Sequence, residues 1–230
     1  MRINVVTLFP EVFEPWLGTS IPGRARAAGK VEYRLIQLRD FTTDRHRTVD
    51  DTPYGGGAGM VLKPEPMVAA VESLERPGTV VLMSARGKPF RHDDAVRYSL
   101  ASDLTVLCGH YKDVDQRVVE VLGAEEVSIG DFVLSGGELA ALCLIDAVVR
   151  LQPGAIGDHE SAASDSFYDG LVGPPSYTRP PVFRGLAVPE VLMGGNHAEI
   201  AAWRRREAER LTEARRPDLW AAFRAEHEES

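Results

Sequence analysis

LTVLCGHYKDVDQRVVEVLGAEEVSIGDFVLSGGELAALCLIDAVVRL, residues 104–151, decides the fold. It opens on an apolar run, LTVLCG (104–109), which reads as a strand and ends on a glycine-marked turn. DVDQRVVEVL (113–122) reads as a helix, EEVSIG (125–130) as a short strand, and GELAALCLIDAVVRL (137–151) as a strongly apolar helix. Upstream, TVVLMS (79–84) adds a buried strand and RHDDAVRYSLAS (91–102) a helix. Strand–helix alternation at this spacing predicts an α/β fold, a mostly parallel sheet covered on both faces. Nearer the start, Val5, Val6 and Leu8 predict a first strand, and Val31 to Leu38 alternates well enough for a second.

Downstream, Pro153 and Gly154 stop the apolar helix. AIGDHESAASDSFYDGL (155–171) is rich in Ser, Asp, Ala and Gly with little periodicity, the composition of a linker or loop. PPSYTRPPVFRGLAVPEVL (174–192) carries five prolines, which rules out a long helix there. Asn196 with Glu199 matches an N-cap and its box partner, opening a helix through about Arg215 with Ile200, Trp203 and Leu211 on its apolar face. A short helix around Leu219 to Phe223 follows. The predicted organisation is an α/β domain over 1–155, a linker over 156–172 and a small helical C-terminal domain over 173–230.

The 230 residues are 44% hydrophobic and 26% charged, an ordinary globular composition. No run approaches the ~20 apolar residues of a membrane-spanning helix, and MRINVVTLFPEVFEPW lacks the features of a signal peptide, so a cytoplasmic protein with no membrane partner is expected. The net charge of −8 argues against a nucleic-acid partner. Its distribution weakens that objection. Arg24, Arg26, Lys30, Arg34, Arg39, Arg45 and Arg47 cluster in one segment, and Arg204, Arg205, Arg206, Arg210, Arg215 and Arg216 in another. Such patches can grip a phosphate backbone locally, although each also fits a solvated helix face. Cys108 and Cys143 lie inside apolar runs and are expected to be buried reduced thiols, without paired spacing for structural zinc.

The common nucleotide fingerprints are missing. YGGGAGM (54–60) does not satisfy G-x-G-x-x-G, no P-loop occurs, and no G-x-S-x-G elbow points to a serine hydrolase. What remains is a series of glycine-containing turns after consecutive predicted strands: SARG (84–87), GHYKD (109–113) and IGDFVLSGGE (129–138). Open parallel sheets bind ligands beyond the carboxyl ends of their strands, and glycine there lets backbone groups approach a ligand closely. The residues alone support a nucleotide-like ligand or a set of ordinary tight turns.

SIGDFVLSGGELAALCLIDAVVRLQPG, with GHYKDVDQRV before it and DSF, PSYTRP, GNHAEI and WR after it, closely resembles one family. This is the bacterial tRNA (guanine-N1)-methyltransferase family of the knotted SPOUT class. The resemblance reaches the N-terminal LFP and YGGGAGM segments, and so covers essentially the whole chain. It implies a deep trefoil knot whose loops clasp S-adenosylmethionine, the methyl donor, and N1 methylation of the guanosine just 3′ of the anticodon of tRNA. Carried over position by position, the cofactor-binding residues are Leu82, Met83, Ser84, Gly109, Tyr111, Ile129, Gly130, Phe132, Leu134, Gly136 and Gly137. The family is a homodimer whose active site uses both subunits, with the guanine held between one chain's knot and the other's linker and C-terminal domain.

The same match makes Asp165 the general base that removes the N1 proton. Arg150 becomes the guanidinium that stabilises charge on O6. Without the match, Asp165 reads as a helix N-cap and Arg150 as a cation at a helix C-terminus. Two positions depart from the family pattern. Lys112 stands where the family carries the acidic residue tied to its Mg²⁺ dependence; a lysine cannot ligate Mg²⁺, which leaves Asp113 as a substitute or a weaker metal role. Phe132 replaces a common tyrosine. Methylation of another RNA site, or tRNA binding with little turnover, are the competing readings.

Overall fold

The computed structural model describes residues 1–156 and 165–228. The stretch 157–164, part of the expected linker, lies outside the described residues. The chain divides into two compact units, Met1–Gly157 and Asp158–Ser230.

The first unit is built on a five-stranded sheet whose neighbouring strands are all parallel: β1 (Arg2–Thr7), β2 (Glu32–Gln37), β5 (Thr79–Pro89), β6 (Asp103–Cys108) and β8 (Glu125–Ser128), in the order β2-β1-β6-β5-β8. Strands β1 and β6 are buried at nearly every position because both faces of the sheet are covered, Asn4, Thr7, Asp103 and Thr105 included. Alternate residues feed two cores. Val5, Val81, Met83, Val106 and Cys108 point to the side closed by α1 (Glu14–Leu17), α2 (Ser20–Ala27), α4 (His92–Ser99) and α6 (Glu138–Val149). Val6, Val80, Leu82 and Leu107 point to the side closed by α3 (Pro64–Glu72) and α5 (Gln116–Leu122). On α6, Ala141, Leu144, Ile145 and Val148 form one stripe at helical spacing and are fully buried. Truncating Leu144 to alanine there would cost about 2–5 kcal/mol.

A small second sheet joins β3 (Asp50–Asp51), β4 (Val61–Leu62) and β7 (Asp113–Val114). It explains why the helix expected from residue 113 starts only at Gln116. Asp113 and Val114 pair with β4, and the Asp115 side chain caps α5 by accepting from Arg117 N. Cys108 is buried as expected, whereas Cys143 is exposed. The outer face of α6 is apolar too, with Leu139 58% exposed, so hydrophobicity alone did not reveal which face is covered.

In the second unit, β9 (Val182–Phe183) and β10 (Leu186–Ala187) form a small antiparallel hairpin within the proline-rich stretch. Helices α7 (His197–Arg215) and α8 (Pro217–Glu228) follow. Asn196 caps α7 by accepting from Ala198 N and Glu199 N. Leu171, Ala208 and Phe223 make a small core. The segment after residue 164 belongs with these helices: Val172 N donates to Thr212 Oγ1 at 2.9 Å, and Leu171 is 1% exposed.

Candidate functional site

A turn within β5 and two turns beyond the carboxyl ends of β6 and β8 meet and enclose a cleft of about 260 Å³, a nucleoside-sized space. The first turn arises from an irregularity in β5. Met83 and Lys88 both pair with Val127, so residues 84–87 are pushed out of the ladder, and Ser84, Ala85 and Arg86 join the cleft wall. Only glycine fits at 87, because a Cβ would collide with the backbone of Glu126 and Val127. The second turn, 109–113, follows β6, and Tyr111 sits at φ 61° within it. The third, 129–137, runs from β8 to α6 and is tied to the second by Gly137 N donating to Gly109 O at 2.7 Å. A Cβ on Gly137 would lie 2.8 Å from Cys108 Cα, so the two turns touch backbone to backbone.

All eleven residues expected to bind a cofactor line this one cleft: Leu82, Met83 and Ser84 on the β5 side, Gly109 and Tyr111 from the second turn, and Ile129, Gly130, Phe132, Leu134, Gly136 and Gly137 from the third. The Phe132 ring lies against Gly130, where a Cβ would collide with it. Beneath the cleft, burial pushes the Cys108 thiol well above its usual range, with the Glu138 carboxylate adding to the effect. Such a thiol is a packing element rather than a nucleophile.

Neither of the two residues expected to act on the substrate is among those lining the cleft. Arg150 follows α6 as its C-cap, its N–H donating to Asp146 O at 3.1 Å, and does not line the cleft. Asp165 belongs to the second unit. It opens a turn closed by Phe167 N donating to Leu171 O at 2.6 Å and by Gly173 N donating to Ser166 Oγ at 2.8 Å. Lys112 packs along the YGGGAGM loop, whose Gly55, Gly56, Gly57 and Gly59 all have positive φ, and its N–H donates to Met60 O at 3.0 Å. Asp113 faces the Arg86 guanidinium at 3.4 Å, and among the described residues no group of three His, Cys, Asp or Glu is placed to hold a metal ion.

Sequence reasoning passed over His110 and Glu138, although both stand in the motifs it quoted. Glu138 is 6% exposed and accepts from the Thr7 hydroxyl at 2.8 Å; His110 lines the cleft beside it. The available signal was an acidic residue opening an otherwise apolar helix. That pattern also fits a simple partner for the helix dipole.

The family model described as "tRNA (Guanine-1)-methyltransferase TrmD" matches residues 1–222. The chain belongs to the tRNA (guanine-1)-methyltransferase family. Among similar members, a tRNA (guanine-N(1)-)-methyltransferase of Gloeobacter violaceus is 54% identical over 224 residues, covering 95% of this chain and 98% of that one. Proteins with the same name from Mesorhizobium japonicum and Brevibacillus brevis are each 52% identical, over 96% and 95% of this chain and 97% and 91% of theirs. Family members thus match this chain across both units, and no described helix is long and apolar enough to cross a membrane.

Proposed function

We propose that the protein is a tRNA (guanine-N1)-methyltransferase that uses S-adenosylmethionine to methylate N1 of the guanosine immediately 3′ of the anticodon. The observation that carries this reading is the convergence of the eleven residues on one cleft at the carboxyl ends of the parallel strands. The cleft suits the cofactor. Glycines at 130, 136 and 137 line it at points where a Cβ would collide with neighbouring protein atoms, and Leu82, Met83, Ile129 and Leu134 give it apolar walls. When bound, S-adenosylmethionine supplies the methyl group on its sulfonium. The trefoil knot belongs to the same reading, and the backbone contacts between the second and third turns are compatible with it.

Guanine N1 carries a proton, so its lone pair is unavailable until a base removes that proton. Asp165 fills this role. Its carboxylate takes the N1 proton while the Arg150 guanidinium donates to O6, where negative charge accumulates. The cleft turns would hold the donor, and alignment with N1 is the main demand for so reactive a methyl group. A homodimer with a shared site completes the reading. Phe9, Val12, Trp16 and Leu139 leave large apolar side chains exposed on the first unit, suited to a second copy. Mg²⁺ has no assigned place in this scheme.

Incubating the protein with labelled S-adenosylmethionine and an unmodified tRNA transcript, followed by nucleoside analysis, tests the proposal. The expected product is 1-methylguanosine, lost when the guanosine 3′ of the anticodon is replaced. Methyl incorporation that survives the replacement would assign the activity to another RNA site. Binding of tRNA without turnover would remove the enzyme reading altogether.

A further inference from the structure

Beside the cleft lies an ionisable pair that the proposed chemistry leaves unused, buried Glu138 and half-buried, cleft-lining His110. Glu138 sits in the first turn of α6, where the helix's N-terminal amides favour a carboxylate. Thr7, at the end of β1, donates its hydroxyl to Glu138 Oε1 at 2.8 Å and accepts from Phe9 N at 3.0 Å, so one carboxylate oxygen is fixed in direction. The other, Oε2, faces His110 Nδ1 across 3.9 Å. That gap is within ionic range but too long for a hydrogen bond. Nδ1 is buried and has no hydrogen-bond partner. A buried polar nitrogen left in this state costs free energy, which a small approach of the carboxylate would recover.

The two side chains sit on opposite sides of the meeting point of two turns. His110 belongs to the turn after β6, and Glu138 directly follows the turn after β8. His110 forms an isolated antiparallel bridge with Gly136. A side chain at Gly136 would fill the space between Oε2 and Nδ1, so glycine there keeps the pair in view of each other. The rings of Phe9 and Tyr111, each 5.1 Å from the imidazole centroid, flank it and restrict its tilt.

We propose that His110 and Glu138 are positioning residues that set the width of the cleft between its second and third turns. Nδ1–H donates to the Glu138 carboxylate when a ligand fills the cleft, a side-chain shift closing the 3.9 Å gap to hydrogen-bond length while the turns keep their backbone contact. Orientation passes from Thr7 to Glu138 to His110, as a carboxylate fixes the tautomer and ring direction of a histidine elsewhere. The inference rests on the reading that this cleft takes S-adenosylmethionine.

Calorimetric titration with S-adenosylmethionine separates the two. Wild-type binding that is lost in Leu134→Asp, a partly exposed change in the cleft wall, supports the cleft as the site. Absence of wild-type binding, or full affinity in Leu134→Asp, defeats that reading and this inference with it. Given a working cleft, His110→Ala and Glu138→Gln should each weaken binding about tenfold. The double variant should be no worse than either single, because coupled residues do not add. Thr7→Val should behave like Glu138→Gln, and Thr7→Ser, which keeps the hydroxyl, should bind as wild type. The KM for tRNA should stay within about twofold throughout, since the pair acts on the cofactor turns. If Glu138→Gln does not fold, the Thr7 pair and His110→Ala carry the test. Additive losses, or a Thr7→Ser as weak as Thr7→Val, would show the cluster to be ordinary packing.

Discussion

At Gly136, a Cβ would collide with Glu138 Oε2 and His110 Nδ1. Gly136→Val should therefore abolish measurable S-adenosylmethionine binding by calorimetry, while overpacking lowers stability by about 1–3 kcal/mol. A folded variant with undiminished affinity would remove this turn from the pocket. Asp165 supports a different separation. Asp165→Asn keeps size and shape but loses the basic oxygen, so single-turnover methylation should fall by about 10²–10⁴-fold. Cofactor affinity should persist, and higher pH should partly restore the rate as solvent deprotonates N1. A near-normal rate would show that the proton leaves by another route. The glycine turns after β6 and β8 were legible in the sequence because each closes a clear strand, whereas the turn at 84–87 interrupts β5 from within. The His110–Glu138 contact was not, because it depends on Thr7, 131 residues from Glu138, and no local pattern encodes such a partner.

Among the elements, α4 is pinned to the start of β8 by one carboxylate. Glu125 accepts from Arg97 at 2.9 and 2.7 Å and from the Tyr98 hydroxyl at 2.8 Å. The Arg97 hydrogen bonds hold the Glu125 carboxyl below its usual 4.5, outweighing partial burial. A depressed folded value means that this contribution is present above about pH 4.5 and lost as pH falls through the lower folded value. Glu125→Gln should therefore melt earlier at neutral pH, by on the order of 1 kcal/mol or less for so solvent-screened a pair. The difference from wild type should vanish in acid; a gap that persists there would point to packing instead. Helix α7 invites a second measurement. Arg205 is paired with Asp169 and Glu209, and Arg210 with Glu207, whereas among the described residues Arg204 and Arg206 have no ion pair. Neutralising Arg204 and Arg206 should flatten the salt dependence of tRNA binding by roughly 0.9 in log–log slope per lost phosphate contact. Equal slopes would make the helix an ordinary solvated face. The long elements were legible because their periods persist over many residues: β1, β6 and α6 stand close to where the pattern put them. Strand β5 was expected to end at Ser84 and instead runs to Pro89. Its polar second half pairs again with β8 only after four residues are extruded, which breaks the period-2 signal. The two-residue strands β3, β4 and β7 are too short to carry any period.

On the scale of the whole molecule, the proposed shared site has a sharp consequence. If one subunit supplies Arg150 and the other Asp165, mixing Arg150→Ala with Asp165→Asn should create heterodimers with one intact site. Random exchange would then restore roughly a quarter of wild-type activity by two-fold symmetry. No recovery, with exchange verified by mass spectrometry, would place both residues in one subunit. The sheet order carries a consequence of another kind, in the time the protein takes to be made. Strand β1 lies between β2 and β6, and its Arg2 pairs with Asp103. At about 5–20 residues per second on the ribosome, the first strand waits roughly 5–20 s for its second neighbour. During that interval one edge of a strand that carries Ile3, Val5 and Val6 is open to any other unpaired strand. The nascent chain should therefore be most prone to misassociation between synthesis of β1 and β6, and protected once Cys108 has left the exit tunnel.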